Sequence, residues 1–292
     1  MIIVQIIGGL GNQMFQYALG RRLADGLDVH LKLDITPFRS YALRRYSLCA
    51  LNIREELATD REVARARAGR LPRVRKLLHR VLPSVPTESP RLVRERTRGF
   101  DPAILDAPDG SYLEGYWQSE KYFDVSAERL RVEFSPHSPL SGQDAAVAER
   151  MREGDAVSVH VRRGDYVSDP ATSKVHGVCD EAYYARCVDY LAERLEDPRF
   201  FVFSDEPEWA RENLRIPFPT TVVDHNKGSL DFEDLRLMSI CRHHIIANSS
   251  FSWWGAWLNP EPSKIVLMPQ RWFFDREPEY AADIRPAGWI AL

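Results

Sequence analysis

The sequence predicts an α/β protein built from two doubly wound units. Three observations lead there. The chain opens on a β-α-β pattern, which pairs strands in parallel. Its second half alternates short apolar runs with segments of helical spacing. Finally, 292 residues, 44% of them hydrophobic, suit two modest domains with a core each.

The elements follow in order. IIVQI (2–6) reads as a buried strand and GGLG (8–11) as a turn. NQMFQYALGRRLADGL (12–27) has apolar residues at helical spacing, and Gly26 marks its end. VHLKLDI (29–35) is the next strand. From Arg61 to Arg98 twelve Arg or Lys stand against three Glu, and Pro72, Pro83, Pro86 and Pro90 interrupt the stretch. That stretch reads as a solvated helical insertion. The sharper alternative is a basic patch for anionic lipid or a phosphorylated carrier, giving peripheral contact with a membrane. SYLEGYWQSEKYF (111–123) holds a short strand and a helix start. A helix near 143–153 leads to Gly154–Asp155, which sets the expected boundary between domains 1–154 and 155–292. Beyond it, strands are expected at 156–161, 199–204, 220–224, 243–247 and 264–268. Helices are expected at 180–196, 207–214, 230–242 and 250–258.

Composition excludes several classes. A net charge of −3 argues against nucleic acid as a partner. Cys49, Cys179, Cys187 and Cys241 form no CxxC pair, which fits structural thiols in a reduced, cytoplasmic protein. No apolar run approaches the ~20 residues that span a bilayer. MIIVQIIGG has no basic residues ahead of its apolar run, so it reads as a strand and not a signal peptide. The His and Cys positions offer no metal site, and no GxSxG elbow supports Ser-His-Asp chemistry.

Four polar clusters fall at strand ends, where open α/β sheets bind ligands. In GGLGNQMFQ, Asn12, Gln13 and Gln16 offer neutral amides suited to a hydroxyl-rich ligand; the alternative is a plain turn with Asn12 as cap. In HVRRGDY (160–166), Arg162 and Arg163 match phosphate oxygens in charge and fork geometry. With no acidic pair nearby to hold Mg²⁺, they suggest a diphosphate held by protein cations. The alternative is a salt-bridged loop pairing Arg163 with Asp165. In FVFSDEPEW (201–209), Ser204 or Asp205 can cap the helix that Pro207 opens, which does not exclude a ligand contact. In the fourth cluster, Asn248, Ser249 and Ser250 sit where a Trp-rich helix begins, and amides there suit a phosphate. Asp234, one helix earlier, could return a carboxylate to the same place. Trp253, Trp254 and Trp257 read as core.

Together GGLGNQMFQYA, HVRRGDY, FSDEP and LMSICRHHIIANSSFSWWGAWL resemble the bacterial-type α-1,2-fucosyltransferases of glycosyltransferase family 11. The match runs in order from residue 8 to residue 258. The resemblance implies a GT-B fold, with two Rossmann-like domains facing a cleft. It implies GDP-fucose as donor, inversion at the anomeric carbon, and no metal or other cofactor. By it, His160, Arg162 and Arg163 match a donor-binding motif shared with α-1,6- and protein O-fucosyltransferases. Asp234 matches a position expected to read guanine, and Ser249, Ser250 and Phe251 a segment expected to contact the diphosphate. The basic stretch matches no motif.

The expected reaction is transfer of L-fucose to the 2-OH of a terminal β-galactoside in a surface glycan. Arg162 would stabilise the leaving diphosphate, and Asp165 is one candidate base. Asp205 and Asn248 join the donor set; Asn12, Gln13 and Gln16 form the acceptor set. The rival readings are another fucosyl linkage, α-1,6 or α-1,3, and a non-catalytic nucleotide- or carbohydrate-binding module.

Overall fold

The computed structural model describes residues 1–41, 43–68, 91–275 and 282–292. It divides into two compact units, Met1–Phe134 and Ser135–Leu292.

In the first unit, β1 (Ile2–Gln5), β2 (Leu31–Asp34), β3 (Leu92–Arg94) and β4 (Tyr112–Glu114) make an all-parallel sheet in the order β2-β1-β4-β3. Parallel strands are covered on both faces and read as unbroken apolar runs. The triplet Ile2, Ile3, Val4 obeys this and is at most 1% exposed. Helix α1 (Leu10–Gly26) connects β1 to β2 and buries Met14, Phe15, Tyr17, Ala18 and Leu19. Helix α2 (Asp60–Ala68) sets Val63 against Ile3 and Tyr112. Helix α3 (Ala127–Glu133) closes the unit. The expected helical insertion holds for 60–68. However, Leu92–Arg94 is a strand paired to β4, where it completes the sheet edge. Residues 69–90 of the basic stretch lie outside the described residues.

In the second unit, β5 (Asp155–Val161), β6 (Pro198–Ser204), β7 (Thr220–Val223), β8 (His243–Ile245), β9 (Val266–Met268) and β10 (Ile290–Ala291) form a second all-parallel sheet, ordered β7-β6-β5-β8-β9-β10. Alternation along β5 and β6 serves two layers. Val157, Val159, Val161, Phe200 and Val202 face helix α7 (Glu181–Ala192), through Tyr183, Tyr184, Cys187, Val188 and Leu191. Ala156, Phe201 and Phe203 face the other way, toward α4 (Gly142–Met151) and α9 (Asp231–Ile240). Helices α5 (Gly164–Ser168), α6 (Pro170–His176), α8 (Pro207–Asn213) and α10 (Ser250–Leu258) complete the unit among the described residues.

Each expected strand and helix of this half is present within a few residues. β10, α5 and α6 are additions, too short to carry a periodic signal. The expected boundary at Gly154–Asp155 is replaced by one at Phe134–Ser135. The reason is packing: Val147, Ala148 and Met151 of α4 bury against the second sheet.

Candidate active site

Numbered from β5, the second sheet runs 3-2-1-4-5-6, the order of dinucleotide-binding sheets, in which ligands lie where the winding reverses. The reversal falls between β5 and β8, paired through Val159 and Ile245. The segments HVRRGDY and ANSSFSW, far apart in sequence, leave those two strands as neighbours. Two tyrosines of α7 brace them from the buried side. The Tyr184 hydroxyl donates to the His160 carbonyl (3.0 Å) and that of Tyr183 to the Ile246 carbonyl (2.7 Å). Tyr166 ties the loops together by donating to the Asn248 carbonyl (3.3 Å).

The two arginines do different things. Arg162 is ion-paired with Asp165 and, at 2.8 Å, with Asp205, beside the Tyr166 ring. Burial opposes its charge, but Asp205 and Asp165 outweigh burial and hold the guanidinium charged. Arg163 lies over the Trp209 ring (4.0 Å) and pairs with Glu206 (3.1 Å). It anchors α8 and leaves Arg162 as the cation of the loop. Asp205 joins the two halves, since its other oxygen accepts the Arg163 amide (2.9 Å). Only glycine fits at 164, where a Cβ would stand 2.5 Å from that Asp205 carboxylate. Ser204 instead serves the turn, accepting from the Glu206 amide (2.9 Å). Asp165, the expected base, is committed to Arg162, not Arg163, and so positions that arginine.

His160 is buried beside Phe251, ring centroids 5.7 Å apart. Burial, reinforced by Arg162, pulls its imidazole down to about 3, so it is neutral at physiological pH. Its Nδ1 is buried with no hydrogen-bond partner. Buried polar atoms are ordinarily satisfied, so this nitrogen is a candidate contact for a ligand's polar atom.

On the β8 side, Ser249 is the N-cap of α10, but its side chain makes no capping bond. The dipole and amides of that helix end are therefore directed at the reversal point without a side-chain cap. Asn248 is spent internally. It donates to the carbonyls of His176 (2.6 Å) and Trp272 (3.3 Å) and accepts from Cys179 (3.6 Å). It fixes the turn instead of presenting to a donor. Ser250 and Phe251 open α10 and remain partly exposed. Trp253, Trp254 and Trp257 are core, as expected.

Asp234 begins α9 opposite the carboxyl end of β7. It accepts from Asn226 (2.9 Å). Burial, with Asp144 and Asp231 nearby, pushes its carboxyl up to about 7. Its neighbouring arginines are engaged elsewhere, Arg236 with Glu233 (2.8 Å) and Arg242 with Asp155 (3.1 Å). From β5 to β7 is two strand spacings, about 10 Å. An extended nucleoside diphosphate covers that span from base to terminal phosphate.

The acceptor set changes most. Gln13 and Gln16 are 0% exposed and bonded to main-chain groups. Gln13 donates to the carbonyls of Gly8 (2.8 Å) and Arg45 (2.7 Å) and accepts from the Ser47 amide (2.9 Å). Gln16 accepts from Ile7 (3.0 Å) and donates to Gly115 (3.1 Å), bridging the ends of β1 and β4. Neither amide is available to an acceptor. Asn12 is partly exposed, accepts from Gln118 (2.8 Å) and does not cap α1.

The structure thus gathers His160, Arg162, Asp165, Asp205, Ser249, Ser250 and Phe251 at one reversal point. Asp234 lies two strands away. Sequence reasoning missed Tyr166, Tyr183, Tyr184, Trp209, Asn226 and the His225–Asp144 pair (2.8 Å). Tyr166 and Trp209 stand inside the quoted HVRRGDY and FVFSDEPEW segments, whereas Tyr183–Tyr184 on an amphipathic helix reads as core packing.

Comparison with known proteins agrees with this geometry. Residues 97–292 match the family described as Glycosyl transferase family 11. The chain is 35% identical to an alpha-1,2-colitosyltransferase of Escherichia coli, over 100% of this chain and 99% of that protein. It is 30% identical to the O-antigen biosynthesis glycosyltransferase WbnK of Escherichia coli, over 91% and 93%. Galactoside alpha-(1,2)-fucosyltransferase 1 of Homo sapiens is 30% identical over 50% of this chain and 42% of that protein. The family match over residues 97–292 and the two nearly full-length Escherichia coli similarities place the chain in glycosyltransferase family 11, beside its bacterial members.

Proposed function

We propose that this glycosyltransferase moves L-fucose from GDP-fucose to the 2-OH of a terminal β-galactoside, with inversion. The observation carrying the reading is the β5–β8 reversal point. There Arg162, a mostly covered cation, the uncapped start of α10 and an unpartnered neutral His160 nitrogen stand at the ends of adjacent strands. A cation and a helix N-terminus together suit a diphosphate. The α-1,2 linkage is drawn from the names of the colitosyl and fucosyl relatives.

As the anomeric C–O bond breaks, its electron pair goes to the β-phosphate oxygen. Arg162 and the α10 amides meet that growing charge, so no metal is needed for it. The sugar passes through an oxocarbenium-like state, while the galactoside oxygen attacks from the opposite face and loses its proton. Asp234 accepts the guanine N1–H and N2–H₂. Asn12 is the member of the expected acceptor set left with an accessible amide. No nucleic acid takes part, and the described residues contain no helix long and apolar enough to cross a membrane.

Incubation with GDP-fucose and a β-galactoside, followed by linkage analysis, tests the reading. An α-1,2-fucosylated product with stoichiometric GDP is expected. An α-1,3 or α-1,6 product would overturn the linkage. GDP binding without transfer to any galactoside would leave a binding module. Because a relative is named for colitose, GDP-colitose belongs in the same assay, and faster turnover with it would reassign the donor sugar.

A further inference from the structure

Asn226 stands in the turn after β7, between two carboxylates from different helices. Its Nδ2 donates to Asp144 of α4 (2.8 Å) and to Asp234 of α9 (2.9 Å). The two hydrogens of one amide are thus divided between two acids. His225, the preceding residue, holds the same Asp144 oxygen from the other side (2.8 Å). Both members of that pair are mostly buried, at 17% and 15% exposure. One oxygen of Asp234 is therefore pinned, and the carboxylate cannot rotate without breaking a bond to a buried group.

We propose that Asn226 is a positioning residue for base recognition: it ties Asp234 to Asp144 and so aims the Asp234 carboxylate at the nucleotide. The proposal rests on the reading of Asp234 as the guanine contact. A carboxylate that is to receive N1–H and N2–H₂ side by side must hold both oxygens in the plane of the base. A freely rotating Asp would meet one hydrogen well and the other poorly. Asp144 and His225 matter at one remove, because His225 holds Asp144 and Asp144 holds Asn226.

The arrangement has a second consequence. The groups facing Asp234 are Asn226 and His225 from the turn, Asp144 from α4, and Asp231 from its own helix. Burial and the two aspartates favour the protonated acid, whereas Asn226 and His225 favour the carboxylate. Binding a base through two N–H donors requires the carboxylate. GDP binding therefore releases a proton near neutrality, and affinity rises with pH until Asp234 is fully ionised. Removing Asn226 takes away a bond that favours ionisation, which moves this rise to higher pH.

Calorimetric titration of GDP, inosine diphosphate and ADP, in buffers of different ionisation enthalpy and across the neutral pH range, tests the idea. It is run on wild type, Asn226→Ala, Asn226→Asp and Asp234→Asn, each with its melting temperature recorded. Inosine diphosphate lacks the exocyclic amine, so the GDP-to-inosine-diphosphate ratio reports the second hydrogen bond alone. For both Asn226 variants the expected result is about tenfold weaker GDP binding at neutral pH, a ratio reduced toward one, and an affinity profile moved to higher pH. Asn226→Asp keeps the side-chain shape, so it still reports if the alanine variant fails to fold. If Asp234→Asn loses base preference while the Asn226 variants keep wild-type affinity, ratio and pH profile, the positioning role is overturned and the guanine contact stands. If Asp234→Asn keeps the wild-type GDP-to-ADP ratio, the guanine contact falls, and the role of Asn226 falls with it.

Discussion

Each unit opens on an interior strand of its sheet, β1 in the first and β5 in the second, and a polar turn follows each. The two turns solve different problems. After β1, Gly8 takes a positive φ of 88° and Gln13 and Gln16 follow, fully buried, their amides bonded to main-chain groups. Gln16 spans from Ile7 to Gly115, so it joins the ends of the neighbouring strands β1 and β4. After β5, Arg162 bonds to side-chain carboxylates, and the Nδ1 of His160 bonds to nothing. Polar groups bonded to main chain build the turn, since main chain cannot move aside for a ligand. Polar groups held by side chains can exchange partners. The proposed function accordingly places the chemistry at the second turn.

The largest effect expected on this contrast is at Arg162. Arg162→Ala should lower transfer by ~10²–10³ with the melting temperature little changed, because one donor to developing charge is lost. Rate assays with a parallel thermal melt check it, and near-wild-type turnover would remove Arg162 from the chemistry. Gln16→Leu should behave oppositely. It strands a buried N–H and a buried carbonyl, each at about 1–3 kcal/mol. A urea titration should show several kcal/mol lost, while affinity for GDP is unchanged. Weakened GDP binding in a folded Gln16→Leu protein would erase the distinction between the turns.

Gly164→Ala sharpens the second turn. The added Cβ would stand 2.5 Å from Asp205, which must then release Arg162. Misplacing a catalytic group by about 1 Å can cost ~10²-fold, so a ten- to hundredfold rate loss with nearly normal stability is expected from kinetics and melting together.

The smallest effect is in pH dependence. The Asp234 carboxyl is raised from 3.8 to about 7 in the folded protein. The folded state therefore holds this proton more tightly than the unfolded state does. The associated stability is complete below pH 3.8 and is lost as pH rises through about 7. The slope is at most about 1.4 kcal/mol per pH unit, and less as water screens the partly exposed group. Urea midpoints of ligand-free protein across that range should fall with pH, and in Asp234→Asn this component should vanish. An unchanged slope in the variant would assign the burial cost to another group.

Much of this was readable from sequence, unevenly. The second half was legible because its strands are buried on both faces and its helices are amphipathic, so each carries its own period. β3 was not, since a three-residue strand in a charged stretch has no period and forms only because β4 offers an edge. HVRRGDY and ANSSFSW were legible as binding segments, because charge and hydroxyls at a strand end are costly to place without use. The partition inside them was not. Arg163 and Arg162 are the same residue type one position apart, and only Trp209 and Glu206, brought in by β6 and α8, decide which one is retired to packing. Gln13 and Gln16 misled for the same reason. An amide looks alike in sequence whether its partner is a sugar or a carbonyl of Gly115.

The proposed function requires Arg162, at the β5–β8 reversal, to hold the terminal phosphate of the donor nucleotide. Equilibrium titration of GDP and GMP into wild type and Arg162→Ala tests it most directly, because the two ligands differ by that phosphate alone. Wild type should bind GDP about tenfold or more tighter than GMP, as a charge-assisted contact implies. In Arg162→Ala the two affinities should converge while GMP binding stays near its wild-type value. A GDP-to-GMP ratio that survives the substitution would contradict the account and place the phosphate elsewhere.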